Sequence, residues 1–106
     1  MQNDSHEVGE RLRLLTHEIY AEAIRRRPDL IEEAGRVVRE RIERGEATFA
    51  ERMWAVLLTR STSDVVKAML DPGEDGRTLR SGSPLSVVVG VPAPAQRKEL
   101  WRKANS

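Results

Sequence analysis

The chain has 106 residues, 39% of them hydrophobic and 4% aromatic, and its 18 Lys and Arg nearly balance 17 Asp and Glu. One small domain with an aliphatic core is expected, which favours packed helices over a β-sandwich. The balanced charge argues against a non-specific nucleic-acid binder. The absence of Cys excludes disulfides and thiolate metal sites. No apolar run approaches the roughly 20 residues that cross a bilayer.

Two amphipathic helices are predicted first. One starts at Asp4, with Glu7 in its first turn, and ends at about Arg26, because Pro28 disfavours helical geometry at the residue before it. Its apolar stripe consists of Val8, Leu12, Leu15, Ile19 and Ala23, and it is widened by Leu14, Tyr20 and Ile24. The other begins around Pro28 and ends near Gly45, with a stripe formed by Leu30, Ile31, Ala34, Val37, Val38 and Ile42.

Capping signals predict a third and a fourth helix. Thr48-Phe49-Ala50-Glu51 is a T-x-x-E capping box, and Ser61-Thr62-Ser63-Asp64 repeats its logic. The third helix is apolar around more than half of its circumference, which indicates a central position or partial cover by a partner. The fourth helix is stopped by Asp71-Pro72.

The last third of the chain is predicted to be mostly irregular. Glycines between residues 73 and 82 leave only a helical turn around Arg77 to Arg80, and Val87-Val88-Val89 is expected to be an extended connector because no second strand accompanies it. A final helix from Pro94 to about Lys103 places Leu100 and Trp101 on its apolar side. The predicted fold is all-α: a small bundle of about four helices in residues 1–82, then a Pro/Gly-rich connector and a C-terminal helical arm in residues 83–106.

The sequence contains no catalytic, cofactor-binding or metal-binding motif, so no cofactor is expected and an enzyme is the least expected class. His6 and His17 are too far apart for a metal pair on adjacent helical turns, and both are predicted at the surface. The segment from Pro72 to Gly76 lacks the Lys of a phosphate-binding loop.

Two features leave nucleic-acid binding open without favouring it. Arg25-Arg26-Arg27 is a basic triplet, but its place at a helix C-terminus is equally explained by the helix dipole. The helix pair from Ala50 to Leu70 has the length of a helix-turn-helix, yet Lys67 is the only cation on its second helix. A packing role is favoured for both.

The C-terminal region is the one clearly cationic part of the chain. From Ser81 to Ser106, four basic side chains face one acidic side chain, Glu99, so this region suits an acidic partner surface. Protein interfaces are enriched in Trp and Arg, which draws attention to Trp101 and Arg102. Packing of Trp101 on the protein's own helices is the alternative, and the sequence leaves both open.

The order of features from Val65 to Arg102 resembles small bacterial antitoxins of toxin–antitoxin modules. Their pattern is D-P-S-x-x-G-x-x-L-R-x-x-S-P, followed by an apolar turn, a Pro and a helix rich in Arg and Trp. The matching residues are Asp71-Pro72, Gly76, Leu79-Arg80, Ser83-Pro84, Pro94 and Trp101-Arg102. The chain departs from the pattern at Gly73, which replaces Ser, and at Leu85, which replaces Phe.

This resemblance implies a cytoplasmic antitoxin that binds and neutralises a cognate protein toxin, of which a nucleotidyltransferase-like enzyme acting on RNA is one example. The residues then expected to contact the partner are Arg77, Leu79, Arg80, Arg97, Leu100, Trp101 and Arg102. The alternatives are a DNA-binding regulator of its own operon and a small helical scaffold. Self-association stays open, and no membrane association is expected.

Overall fold

The computed structural model describes residues 5–106, and over this range the protein is all-α with seven helices. They are α1 (Ser5–Arg26), α2 (Asp29–Glu43), α3 (Phe49–Leu57), α4 (Thr62–Met69), α5 (Glu74–Ser81), α6 (Leu85–Val88) and α7 (Pro94–Ala104). The all-α class is confirmed, while the predicted number of about four helices is too low. The predicted start at Asp4 lies outside the described residues. Within residues 5–106, no helix is both long and apolar enough to span a membrane.

Local capping signals set the starts of α3 and α4, as predicted. Thr48 Oγ1 accepts a hydrogen bond from the Glu51 backbone N–H at 3.1 Å, and Glu51 Oε1 accepts one from the Thr48 N–H at 2.9 Å. Ser61 Oγ accepts from the Asp64 N–H at 3.1 Å. Such caps contribute about 1 kcal/mol each because they satisfy N–H groups that lack a partner inside the helix. The Glu51 carboxylate also pairs with Arg41, which ties α3 to α2.

Two sequence predictions for the last third are wrong. The glycine-containing segment forms α5, a helix of 8 residues rather than a single turn. The expected extended connector contains a short helix, α6, at whose start the Leu85 N–H donates a hydrogen bond to Ser83 Oγ at 3.2 Å. Leu85 is fully buried. Its burial outweighs the strand propensity of the valines that follow, as tertiary packing commonly does.

The main hydrophobic cluster joins the first six helices around Trp54, which is fully buried. Its members are Tyr20, Ala21, Ile24, Leu30, Ile31, Ala34, Val38, Trp54, Leu58, Val65, Val66, Met69, Leu79 and Leu85. Trp54 gives α3 a central position, whereas Phe49 and Val56 on the same helix are exposed, so the predicted broad apolar surface of α3 is buried only in part. Leu85 belongs to this cluster although it lies beyond the predicted domain boundary at residue 82.

The C-terminal helix α7 lies outside that cluster and packs against α1. Leu100 and Ala104, four residues apart on one side of α7, are buried. Arg11 Nε–H of α1 donates a hydrogen bond to the Ala104 carbonyl at 2.6 Å. The arm is thus held on the protein's own core by a small apolar contact and one hydrogen bond to its last turn.

Candidate partner-binding surface

The seven residues predicted to contact a partner lie on two helices. Arg77, Leu79 and Arg80 are on α5, which packs against α1, α3 and α4. The other four, Arg97, Leu100, Trp101 and Arg102, are on α7, which packs against α1. The structure therefore divides the predicted set into two groups with different surroundings.

The α5 group is mostly internal. Arg80 is only 5% exposed, and its Nη1 donates hydrogen bonds to the carbonyls of Met69 at 2.9 Å and Asp71 at 2.7 Å. These carbonyls lie at the C-terminal end of α4, where backbone oxygens lack partners inside the helix and a positive charge is favoured. Burial lowers the pKa of Arg80, an effect that the nearby Glu10 carboxylate opposes. Leu79 is also buried, whereas Arg77 is exposed.

The D-P-x-x-x-G-x-x-L-R residues form a compact arrangement that we term the α5 clasp: Asp71, Gly76, Leu79 and Arg80. A Cβ atom at Gly76 would lie 1.8 Å from the Asp71 carbonyl oxygen, so only glycine permits this approach. The Leu79 carbonyl accepts a hydrogen bond from Trp54 Nε1–H at 2.7 Å inside the core. The four clasp residues, which carry part of the antitoxin resemblance, thus stabilise the fold.

The α7 group has an inner and an outer side. Leu100 is buried against α1, whereas Trp101 is 52% exposed and Arg97 and Arg102 are exposed. Together with Lys98, these outer residues form what we term the arm face: Arg97, Lys98, Trp101 and Arg102. A shallow groove of about 650 Å³ runs along it beside Lys98, Trp101 and Arg102. The helix therefore packs on the protein's own core while its Trp stays accessible.

The arm face is positively charged. Arg102 donates two hydrogen bonds to the Glu99 carboxylate, and these bonds lower the pKa of Glu99. Arg97 and Lys98 form no ion pair with any residue in the described range 5–106. Glu99, the only acidic side chain on α7, is thus already engaged, and the two cations near Trp101 have no ion-pair partner among residues 5–106.

His17 is buried at 3% exposure, so its predicted surface position is wrong. Its Nδ1–H donates to the Arg13 carbonyl at 2.8 Å, and its ring packs edge-on against Tyr20 with centroids 5.1 Å apart. Burial lowers the pKa of His17 to about 4. A signal existed in the sequence, since His17 shares one helical face with Ala21 and Ile24, both fully buried.

The basic triplet Arg25-Arg26-Arg27 is engaged in local ion pairs. Arg25 and Arg26 contact Glu22, and Arg27 contacts Asp29 and Glu33. Such pairs fit the predicted structural role of the basic triplet. Over residues 5–106, no group of three or more acidic or histidine side chains is arranged to hold a metal ion.

Comparison with known proteins yields no match to a protein-family model, a curated protein or a solved structure. The chemistry of the arm face is therefore the main ground for inferring function.

Proposed function

We propose that this protein is an antitoxin that neutralises a toxin enzyme by binding it through the arm face. The observation that carries this proposal is the half exposure of Trp101 on a helix whose other side is already buried. Trp and Arg are the residues most enriched among interface anchors, because they bury a large area and pair with polar groups at their rims. A Trp exposed between cations is thus suited to a partner.

The charge of the arm face defines the kind of partner. Arg97 and Lys98 form no ion pair within residues 5–106, so an acidic surface would complement them and speed association. A nucleotidyltransferase-like toxin, the class that the sequence resemblance implies, would fit if its catalytic pocket is acidic. In this arrangement, the basic helix would occupy that pocket and exclude the RNA substrate.

The seven predicted residues take two roles in this proposal. Arg77, Arg97, Trp101 and Arg102 are exposed and can meet a partner without rearrangement. The other three, Leu79, Arg80 and Leu100, are buried, so they act by holding α5 and α7 in place. Substituting the first group should weaken binding alone, and substituting the second should also reduce stability.

The test is co-expression with the product of the adjacent gene, followed by pull-down and titration. Trp101→Ala should weaken toxin binding by about 30-fold, the usual loss for an interface anchor. Phe49→Ala is the matched control, since Phe49 is an exposed aromatic residue (75%) on α3. Equal affinities of the wild type and Trp101→Ala would contradict the proposal.

Failure to capture a toxin would also contradict it. In that case, binding to the promoter of the protein's own gene that falls steeply with salt would support the alternative of a DNA-binding regulator.

A further inference from the structure

A second groove lies between α1 and α7, and we term it the α1–α7 groove. It has a volume of about 400 Å³, and Leu15, Ile19 and Leu100 form its apolar floor. Leu15 and Ile19 are only partly buried, although α7 packs against α1. The arm therefore fills its seat on α1 incompletely and leaves apolar surface accessible beside it.

The rim of this groove is mainly acidic. Glu18, Glu22 and Glu99 line it together with one cation, Lys103. Glu22 pairs with neighbouring arginines of α1, and Glu99 pairs with Arg102. The Glu18 carboxylate is exposed and forms no ion pair within residues 5–106. An apolar floor beside an unpaired acid suits an apolar side chain that is flanked by cations.

The arm face of a second copy has this chemistry. Its Trp101 is 52% exposed, and a Trp side chain buries about 150–250 Å² when it is covered. Arg97 and Lys98 lie beside it and form no ion pair within residues 5–106. The unpaired cations of the arm face thus complement the unpaired acid of the groove, and every copy carries both halves of the contact.

The two halves of the contact lie on opposite sides of α7. Lys103 lines the groove, and Trp101 lies two residues before it. Gln96 also lines the groove, and Lys98 lies two residues after it. Two residues turn an α-helix by about 200°. A two-fold pair needs one self-complementary patch, whereas two separate patches give a head-to-tail contact that does not close at two copies.

We propose that the arm face of one copy docks in the α1–α7 groove of the next copy. Trp101 covers Ile19 of the neighbour, and Arg97 and Lys98 face its Glu18. One Trp and two cations bury far less than the roughly 1,200 Å² of a stable complex, so the association is weak and forms at high protein concentration.

This association has a regulatory consequence that rests on the antitoxin function proposed above. The next copy and the toxin would compete for the same Trp101, so self-association would keep the arm face covered until a toxin displaces it. The association itself does not depend on that function, since both of its surfaces belong to this chain.

Sedimentation equilibrium from about 10 μM to about 1 mM protein tests the proposal. The mean mass of the wild type should rise past that of a dimer without a plateau, and the rise should shrink with added salt because salt screens exposed charges. A wild type that stays monomeric, or that stops at two copies, would overturn the proposal.

Two variants remove one half of the contact each. Trp101→Ala and Glu18→Lys should each weaken association about tenfold or more, the usual loss for an interface anchor. Phe49→Ala and Glu43→Lys are the matched controls, because they change an exposed aromatic residue and an exposed, unpaired acid outside both surfaces. Equal effects of the test and control variants would contradict the assigned contact.

Mixing the two variants tests the head-to-tail arrangement directly. Trp101→Ala keeps the groove, and Glu18→Lys keeps the Trp. Each variant alone should stay monomeric, whereas the mixture should form one-to-one pairs that grow no further. Absence of such pairs would rule out a head-to-tail contact.

Nuclear magnetic resonance of the wild type provides a measurement that does not depend on a variant. The indole N–H resonance of Trp101 and the methyl resonances of Leu15 and Ile19 should shift together as the protein concentration rises. Unchanged methyl resonances would show that the groove is not the docking site. Self-association without toxin capture would contradict only the antitoxin function, and toxin capture by a protein that stays monomeric would contradict only this inference.

Discussion

The α5 clasp and the α7 arm use the same residue types for opposite purposes. Trp54, bonded to the clasp, is fully buried and its indole N–H is satisfied by the Leu79 carbonyl, whereas Trp101 on the arm is half exposed. Arg80 binds carbonyls inside the protein, whereas Arg102 lies at the surface beside Glu99. A Leu-Arg or Trp-Arg pair therefore does not by itself indicate an interface. The deciding feature is whether nearby backbone carbonyls need a donor.

The substitution Gly76→Ala tests the structural role of the clasp and has the largest expected effect on stability. The new Cβ would collide with the Asp71 carbonyl and displace the contacts of Arg80, so we expect a loss of about 4 kcal/mol in the free energy of unfolding. Gly9→Ala is the control, because its Cβ would meet only Arg13 Nη1 at an ordinary 3.8 Å. That change should raise stability by about 0.5 kcal/mol. Urea denaturation measures both, and similar effects would refute the role of the clasp.

Acid should destabilise the clasp side of α1 through His17. The unfolded chain takes up a proton on this residue near pH 6.5, whereas the folded protein does so only near pH 4. Stability is therefore lost as pH falls from about 6.5 to 4, by on the order of 3 kcal/mol from this group. The urea concentration at the midpoint of unfolding should fall with pH across this range. In His17→Leu this fall should be smaller, because the contribution of His17 is gone. A slope unchanged by the substitution would show that another group is responsible.

The two tryptophans allow a direct comparison. Trp54→Phe removes the indole N–H and leaves the Leu79 carbonyl with only the longer 3.4 Å bond from the Gly82 N–H, so we expect a loss of about 2 kcal/mol. Trp101→Phe changes a half-exposed side chain and should alter stability by less than about 0.5 kcal/mol. Thermal or chemical unfolding distinguishes the two, and a large effect at Trp101 would show that it packs on the core.

The smallest expected effect is local opening of the arm. Releasing α7 exposes chiefly Leu100 and Ala104, at a cost of about 1.5 kcal/mol. Amide hydrogens of α7 should therefore exchange sooner than those of α5, and Leu100→Ala should accelerate exchange in α7 alone. Equal protection of both helices would mean that the arm is part of the same cooperative unit as the clasp.

Local signals in the sequence predicted the starts of helices better than the contacts between helices. Thr48 and Ser61 act on N–H groups three residues away, so their caps could be predicted directly. The role of Arg80 could not, because its carbonyl partner on Met69 is eleven residues away and becomes a neighbour only after α4 and α5 pack. The hydrogen bond from Trp54 to the Leu79 carbonyl joins residues 25 positions apart, so it could not be predicted from local sequence either.

The position of α7 could be predicted in part. Its start at Pro94 was predicted, and so was the apolar character of Leu100. The exposure of Trp101 could not be predicted, because it depends on which side of α7 packs against α1. The predicted apolar side of α1 includes Leu15 and Ile19, which line the groove next to the arm, and Tyr20 and Ile24, which lie in the main core.

The attachment of α7 demands little of its sequence. It uses two small or medium apolar side chains four residues apart, and the Arg11 hydrogen bond goes to a backbone carbonyl that any residue supplies. The outward positions of this helix are therefore free to diverge without cost to folding. If the arm face binds a partner as proposed, the partner could be changed by substituting the four residues of the arm face while the scaffold is kept.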